Sequence, residues 1–162
     1  MRELGGRPPT AAADVSAAAA AAAFVAYAAG GEPDAVPWAG TVRLSIQGEP
    51  VVVLDGDRAI PRRSWRGCPA DRTTIEGVTC PLSPLQTIRW HEDEGFGLAL
   101  ESKPPDVVGC NRYVTPPTGG GVDTAWIRPD PAHRSCLTDV AIAVTVDDTG
   151  DLTAVDLFLS GP

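Results

Sequence analysis

The sequence has few of the residues that most often bind metals or nucleic acids. Its 162 residues include two histidines, His91 and His133, and Lys103 is the only lysine. The formal net charge is −8, with 13 basic against 21 acidic residues. Binding to a phosphate backbone needs clustered cations, so this balance argues against nucleic acid as the main partner. Recurrent catalytic motifs are also missing, namely the G-x-S-x-G elbow, the phosphate-binding loop, the dinucleotide fingerprint and H-E-x-x-H.

Cysteine spacing excludes a zinc site gripped by a single loop. No two of the four cysteines have the C-x₂₋₄-C spacing of such sites, so we expect no metal and no cofactor. Two disulfides explain the even count better, and neighbour pairing is our choice among the three possible connectivities. Each bond would stabilise the fold by about 3 kcal/mol on a chain-entropy model, and both imply an oxidising compartment. The predicted bonds are Cys68–Cys80 and Cys110–Cys136.

An alanine-rich run near the N-terminus, SAAAAAAAFVAYAAGG, is too short and too weakly apolar for a membrane span. A signal peptide fits poorly, because the preceding MRELGGRPPTAAAD is not a positive leader segment. Alanine has the highest helix propensity, so we predict a helix that begins at Asp14 or Ser16 and stops at the Gly30-Gly31 pair. We expect its buried stripe to be Val15, Ala18, Ala22, Val25 and Ala29, with Phe24 beside it.

The sequence predicts strands in four places, most clearly where apolar residues alternate. Val42, Leu44 and Ile46 share one face of the first, which a QGEP turn joins to VVVL. DVAIAVTVDDTGDLTAVDLFLSG predicts a closing hairpin near 138–147 and 152–160. LQTIRW and FGLALE suggest a further hairpin around HEDEG, and AWIRP a short strand. The expected fold is a single α+β domain over residues 11–162, in which the N-terminal helix packs on a curved antiparallel sheet. Residues 1–10 would be a flexible tether, left after removal of a signal or lipoprotein anchor.

Two stretches resemble a known superfamily. AAAFVAYAAGGEPDAVPWAGTVRLSIQGE resembles the opening of the nuclear-transport-factor-2-like superfamily, which includes ketosteroid isomerases and polyketide cyclases. There a first helix ends in a Gly-containing turn, a short segment passes an aromatic residue, and the first strand follows. VAIAVTVDDTGDLTAVDLFL is similar to that superfamily's closing pair of strands. The resemblance implies a cystatin-like cone around a pocket, with Phe24, Tyr27 and Trp38 close to it.

Candidate functional residues fall into two groups. Asp139 and Asp156 lie within apolar strands, where a carboxylate facing a pocket would shuttle protons and an outward one would simply be solvated. Arg58, Arg62, Arg63 and Arg66 surround Trp65 in RAIPRRSWRGCP, a basic patch in an acidic protein that suits an anionic surface or glycan. HEDE at 91–94 and DDTGD at 147–151 fit solvated turns better than metal sites.

Three functions follow from these residues, in our order of preference. The first is a non-catalytic, extracytoplasmic binding module for a small molecule or a protein, using Phe24, Tyr27, Trp38, Asp139, Asp156, Arg62, Arg63 and Trp65. The second is an isomerase or cyclase that uses a pocket carboxylate. The third is a secreted serine-protease inhibitor, because Arg112 follows Cys110 on a Pro-rich loop in CNRYVTPP.

Overall fold

A computed structural model of the chain describes residues 9–68, 74–75, 78–110, 112–114 and 121–160. The fold class is α+β, as predicted. Two helices and a six-stranded open sheet form the main body, and four two-residue strands pair outside it. The helices are α1 (Pro9–Ala28) and α2 (Pro84–Asp93). The strands are β1 (Trp38–Ile46), β2 (Glu49–Asp55), β3 (Thr74–Ile75), β4 (Val78–Thr79), β5 (Leu98–Glu101), β6 (Val107–Val108), β7 (Arg112–Tyr113), β8 (Asp123–Pro129), β9 (Val140–Val146) and β10 (Leu152–Leu159).

The large sheet is mixed, which corrects the prediction of an antiparallel sheet. Its order is β2-β1-β10-β9-β8-β5, and β1 runs parallel to its neighbour β10. All other neighbours in this sheet are antiparallel. Local alternation predicts each hairpin, but the pairing of the first strand with the last joins distant parts of the chain and has no local signal. The predicted closing hairpin is confirmed as β9 and β10.

The β1–β2 turn also helps to join the first strand to the last. Gln47 and Gly48 both have positive φ, at 53° and 81°, as a tight two-residue hairpin turn requires. The Gln47 side-chain amide then accepts a hydrogen bond from the Leu159 N–H at 2.9 Å and donates one to the Leu159 carbonyl at 3.3 Å. This side chain therefore pairs with β10 beyond the end of β1.

Helix α1 begins at Pro9, earlier than the predicted Asp14 or Ser16, and the described side chains bury a different stripe from the predicted one. Ala18, Ala22 and Ala29 are exposed. The buried residues are spaced three or four apart and cover the sheet through Ala17, Ala20, Ala21, Phe24, Tyr27 and Ala28. Alanine on every side leaves the rotation of a helix undetermined, and the two large aromatic residues set it here. Of the tether predicted at residues 1–10, residues 1–8 lie outside the described residues, and Pro9 and Thr10 belong to α1.

Helix α2 replaces a strand of the predicted hairpin around HEDEG, which was wrong. The Ser83 hydroxyl accepts hydrogen bonds from the Leu85 and Gln86 N–H groups, and Pro84 occupies the first helical turn. Leu85 and Ile88 are buried at helical spacing. The cap and the proline were visible in SPLQTIRWHED, and they outweigh the β-propensity of Ile88 and Trp90.

Both predicted disulfides are present. Cys68 and Cys80 have Cα atoms 5.5 Å apart, and Cys110 and Cys136 have Cα atoms 4.8 Å apart. The second bond holds the 106–110 segment against the turn that precedes β9. Gly109 has a φ of 70° there, and a Cβ on it would lie 2.7 Å from the Ser160 Cβ, so the close approach requires glycine. Within the described part of the chain, no helix is long and apolar enough to cross a membrane.

Candidate functional site

Four of the predicted site residues form one aromatic cluster between α1 and the sheet. Trp65 lies 5.2 Å from Phe24 and 5.6 Å from Trp38 between ring centroids, and Tyr27 lies 5.3 Å from Trp38. Phe24, Tyr27 and Trp65 are at most 1% exposed, whereas Trp38 is partly buried. Sequence analysis placed Trp65 in a surface patch, but its ring is part of the core. The cluster fills the space in which the cone-like pocket was expected.

Tyr27 is held at both its polar groups. Its hydroxyl donates a hydrogen bond to the Ile60 carbonyl at 3.0 Å, and its own carbonyl accepts from Arg62. Burial raises the pKa of the Tyr27 phenol, and the Trp65 indole and the Arg62 guanidinium offset part of this. The Trp65 N–H nevertheless meets no acceptor in hydrogen-bond geometry among the described residues. Tyr27 is therefore a neutral, structural phenol at physiological pH.

Arg62 anchors the basic segment to the end of α1. Its guanidinium lies over the Tyr27 ring, 4.9 Å from the centroid, and donates to the carbonyls of Tyr27 and Gly31. A cation at a helix C-terminus interacts favourably with the helix dipole and with the last unpaired carbonyls. This contact fixes the neighbouring Arg63 and Arg66 beside the start of α2.

A pocket of about 210 Å³ lies where this segment meets α2, and we call it the arginine pocket. Four guanidinium-bearing residues line it, three from the predicted patch and one from α2. Among the described residues, no acidic side chain lines it. Its lining consists of Arg62, Arg63, Arg66 and Arg89, together with Ala28, Ser83, Leu85 and Gln86. Sequence analysis missed Arg89, which joins the patch only because α2 is a helix and packs beside residues 62–66.

A second depression, the α2 cleft, lies on the other side of this helix and has a volume of about 360 Å³. Trp90 and Leu137 are 47% and 77% exposed there. Leu82 and Leu159 add apolar wall, and Ser83 and Gln86 line this cleft as well as the arginine pocket. Its remaining lining residues are Thr87, His91, Thr138, Asp139 and Ser160. Sequence analysis missed the cleft because it read α2 as a strand.

His91 connects the two walls of the α2 cleft. Its Nδ1 lies 2.8 Å from the Thr87 carbonyl oxygen, and its Nε2 lies 2.7 Å from that of Thr138. The ring thus bridges helix α2 and the turn that precedes β9. The ring is 3% exposed, so it supports the cleft from beneath. Of the predicted HEDE group, His91 is thus buried while the three acids are exposed.

The two candidate carboxylates, Asp139 and Asp156, both lie in buried surroundings. Asp139 is 5% exposed, and both its oxygens lie 3.0 Å from Nη2 of Arg128. The Gly109 and Val140 N–H groups donate to the same carboxylate. Asp156 is 1% exposed on β10, in register with Ser45 of β1 and Ala143 of β9. Asp139 immediately precedes β9 and is not within a strand as predicted, whereas Asp156 lies on β10. Asp139 serves as the partner of a buried guanidinium.

The remaining predictions concern the DDTGD turn, metal sites and Arg112. Asp147 is an acceptor for the backbone of its own turn, as expected for DDTGD. The described residues hold no group of three or more metal-binding side chains. Arg112 lies in β7, but its side chain is outside the described part of the chain, so the inhibitor hypothesis stays a prediction.

A third cleft, of about 600 Å³, lies between α1 and strands β5 and β8. Its charged side chains are Glu101 and Asp123, and the rest of its lining is small, polar or aliphatic. It therefore lacks the convergent basic groups of the arginine pocket.

Comparison of the chain with protein-family models, curated proteins and solved structures finds no match.

Proposed function

We propose that this protein is a non-catalytic, extracytoplasmic binding module that recognises an oxyanionic group in the arginine pocket. The observation that carries the proposal is that Arg62, Arg63, Arg66 and Arg89 line one pocket, which no acidic side chain of the described part of the chain lines. Guanidinium groups bind carboxylate, phosphate and sulfate oxygens through paired, charge-assisted hydrogen bonds. A pocket with four of them suits an oxyanion with more than one charge.

The placement of these arginines supports ligand binding over internal charge balance. The side chains of Arg63, Arg66 and Arg89 are exposed and form no ion pair or hydrogen bond within the described part of the chain. Three other arginines of the described residues form ion pairs: Arg58 with Asp55, Arg128 with Asp139, and Arg134 with Glu101. Four like charges around one pocket repel each other, and a bound anion would relieve that repulsion.

The cellular location is part of the proposal. Two disulfides are consistent with an extracellular protein, because such bonds persist in oxidising compartments. The likeness to the nuclear-transport-factor-2-like superfamily, with its curved sheet, is a further part. Its support here is local: α1 ends before a Gly30-Gly31 turn, Trp38 follows, and the last two strands of the chain, β9 and β10, pair as a hairpin. The aromatic cluster occupies the expected cone, so we assign binding to the surface.

A titration with inorganic phosphate tests the arginine pocket. We expect saturable binding by the wild-type protein, followed by NMR shifts of the arginine Nε–H groups, and weaker binding as ionic strength rises. The triple variant Arg63→Gln, Arg66→Gln and Arg89→Gln should weaken binding by about tenfold or more. Arg62 is left intact because it holds the end of α1.

The matched control is Arg58→Gln, which removes an exposed arginine of the same segment that does not line the pocket. It should bind phosphate like the wild type. Equal affinity in the triple variant, or an equal loss in the Arg58→Gln control, would show that phosphate responds to overall charge and would refute a defined pocket.

A further inference from the structure

We propose that the α2 cleft holds the hydrocarbon tail of an anionic amphiphile whose headgroup lies in the arginine pocket. This inference rests on the proposed function and adds to it the chemical class of the ligand, a single-chain lipid-like anion. It is carried by the position of the two depressions on either side of one helix.

The cleft has the size and exposure of a site for an apolar group. Its volume of about 360 Å³ lies within the range of roughly 300–1,000 Å³ that is usual for small-molecule sites. Trp90 and Leu137 are exposed on its opposite walls, although large apolar side chains gain free energy from leaving water. The Trp90 ring is steadied from below by edge contacts with His91 and Phe96, at centroid distances of 4.9 Å and 5.4 Å.

The polar groups beneath the cleft are already engaged within the protein. Both ring nitrogens of His91 contact carbonyl oxygens, and the Thr138 hydroxyl donates to the His133 carbonyl. Asp139 is paired with Arg128, so its negative charge is already compensated beneath the cleft that would hold the tail. A ligand in this cleft would therefore gain mainly from apolar contact, as a hydrocarbon chain does.

The cleft and the arginine pocket adjoin each other at the first turns of α2. Ser83 and Gln86 line both, and the Ser83 cap holds this turn in place. Gln86 is exposed between the apolar wall at Trp90 and the basic wall at Arg89. A molecule that crosses Gln86 would place an apolar part on one side and an anionic part on the other. This charge complementarity favours an anionic amphiphile over a neutral ligand.

Three probes separate headgroup from tail: inorganic phosphate, dodecyl phosphate below its micelle concentration, and the uncharged dodecyl maltoside. For the wild type we expect dodecyl phosphate to bind about tenfold or more tightly than phosphate, with dodecyl maltoside much weaker. Intrinsic fluorescence should change on binding, because Trp90 is the exposed tryptophan of a chain whose other three are partly or fully buried.

Leu137→Ser and Trp90→Ala should each remove most of the gain from the tail and leave the affinity for inorganic phosphate unchanged. Val53→Ser is the matched control, since Val53 is 63% exposed on β2 and does not line the cleft. The triple arginine variant should weaken dodecyl phosphate and phosphate together. Circular dichroism and thermal unfolding of each variant establish that it is folded.

The outcomes distinguish the two proposals. If phosphate binds as expected and the tail adds nothing, the cleft proposal fails and the arginine pocket stands. If phosphate does not bind, and dodecyl phosphate and dodecyl maltoside bind equally, the cleft is a neutral apolar site and both anionic proposals fail. If the wild type is a dimer and Leu137→Ser makes it monomeric, the cleft is an interface between copies and the amphiphile proposal is wrong.

Discussion

The two faces of the six-stranded sheet are buried in different ways. The face beneath α1 is lined by aliphatic residues of the central strands, such as Leu44, Ile142 and Leu157, and by the aromatic cluster. The opposite face has a smaller apolar cluster of Val108, Trp126, Ala141, Ala143 and Phe158. It also carries buried polar groups, among them Arg128, Thr145 and Asp156. Burial by itself therefore does not show how a residue contributes to the stability of the fold.

The difference lies in how each face loses stability when it is changed. An apolar face responds to lost or added volume, because the neighbours relax only in part. A face with buried charges depends on complete pairing, because one unpaired charge in a low dielectric costs more than the pair gains. Single and double substitutions can separate these two behaviours.

The largest effect is expected at the buried ion pair. Asp139→Ala would leave the Arg128 guanidinium, 4% exposed, without its carboxylate and would remove the acceptor of the Gly109 and Val140 N–H groups. We expect the free energy of unfolding to fall by about 3–5 kcal/mol, measured by urea denaturation. The double variant Arg128→Met, Asp139→Leu should recover most of that loss, since it buries no charge.

The outer pair offers a control for this comparison. Glu101 is about one-third exposed and contacts Arg134 at 2.7 Å and Arg128 at 3.8 Å, so it lies at the solvent-facing end of the same charge cluster. Glu101→Gln should therefore cost less than about 1 kcal/mol. A loss at Asp139 no greater than the loss at Glu101 would show that the second face does not depend on buried pairing. The same conclusion would follow if the double variant Arg128→Met, Asp139→Leu were as unstable as Asp139→Ala.

A smaller effect is expected from overpacking the apolar face. Ala21 is fully buried on the side of α1 that faces the sheet, whereas its neighbour Ala22 is exposed. Ala21→Leu should lower the free energy of unfolding by about 1–3 kcal/mol, because the helix would have to move away from the sheet. Ala22→Leu adds the same side chain towards solvent and should stay within about 0.5 kcal/mol of the wild type. The reverse order of the two effects in thermal unfolding would mean that α1 packs by another face.

The sequence predicts the parts of this structure that depend on local patterns, and it does not predict those that depend on contacts distant in the chain. The strands β1, β9 and β10 and both disulfides follow from local alternation and from cysteine spacing. The prediction of the buried stripe of α1 was wrong, because a nearly uniform alanine surface does not indicate which side of the helix faces the sheet. Helix α2 was missed although Ser83 and Pro84 mark its start. The pairing of β1 with β10 depends on contacts across more than a hundred residues, which no local pattern records.

For the candidate site, the same limits apply to different residues. The basic segment around Arg62 and Arg63 can be recognised in the sequence as a local cluster of arginines, and the structure places it beside a pocket. Neither Arg89 nor the cleft at Trp90 could be added without first recognising α2 as a helix. Trp65 was assigned to the surface because its neighbours are charged, whereas tertiary packing buries its ring against Phe24 and Trp38.

The smallest predicted effect lies outside both faces, in the β9–β10 turn. The Asp147 carboxylate accepts hydrogen bonds from the Thr149 hydroxyl at 2.7 Å and from the Thr149 and Asp151 N–H groups at 3.0 Å. These bonds, the Thr149 hydroxyl foremost, lower the pKa of Asp147. A lowered pKa means stability that is present above the unfolded-state pKa of about 3.9 and lost as pH falls through the folded value.

Asp147→Asn retains an acceptor oxygen but not the charge, so it should be less stable than the wild type near neutral pH by about 1 kcal/mol or less. This difference should shrink as the pH falls below about 4, where the wild-type carboxylate becomes protonated. Thermal unfolding across that pH range measures it. Asp148→Asn, the matched change at the exposed neighbour, should show no such convergence. A difference at Asp147 that stays constant with pH would mean that the turn depends on hydrogen-bond geometry and not on the charge of the acceptor.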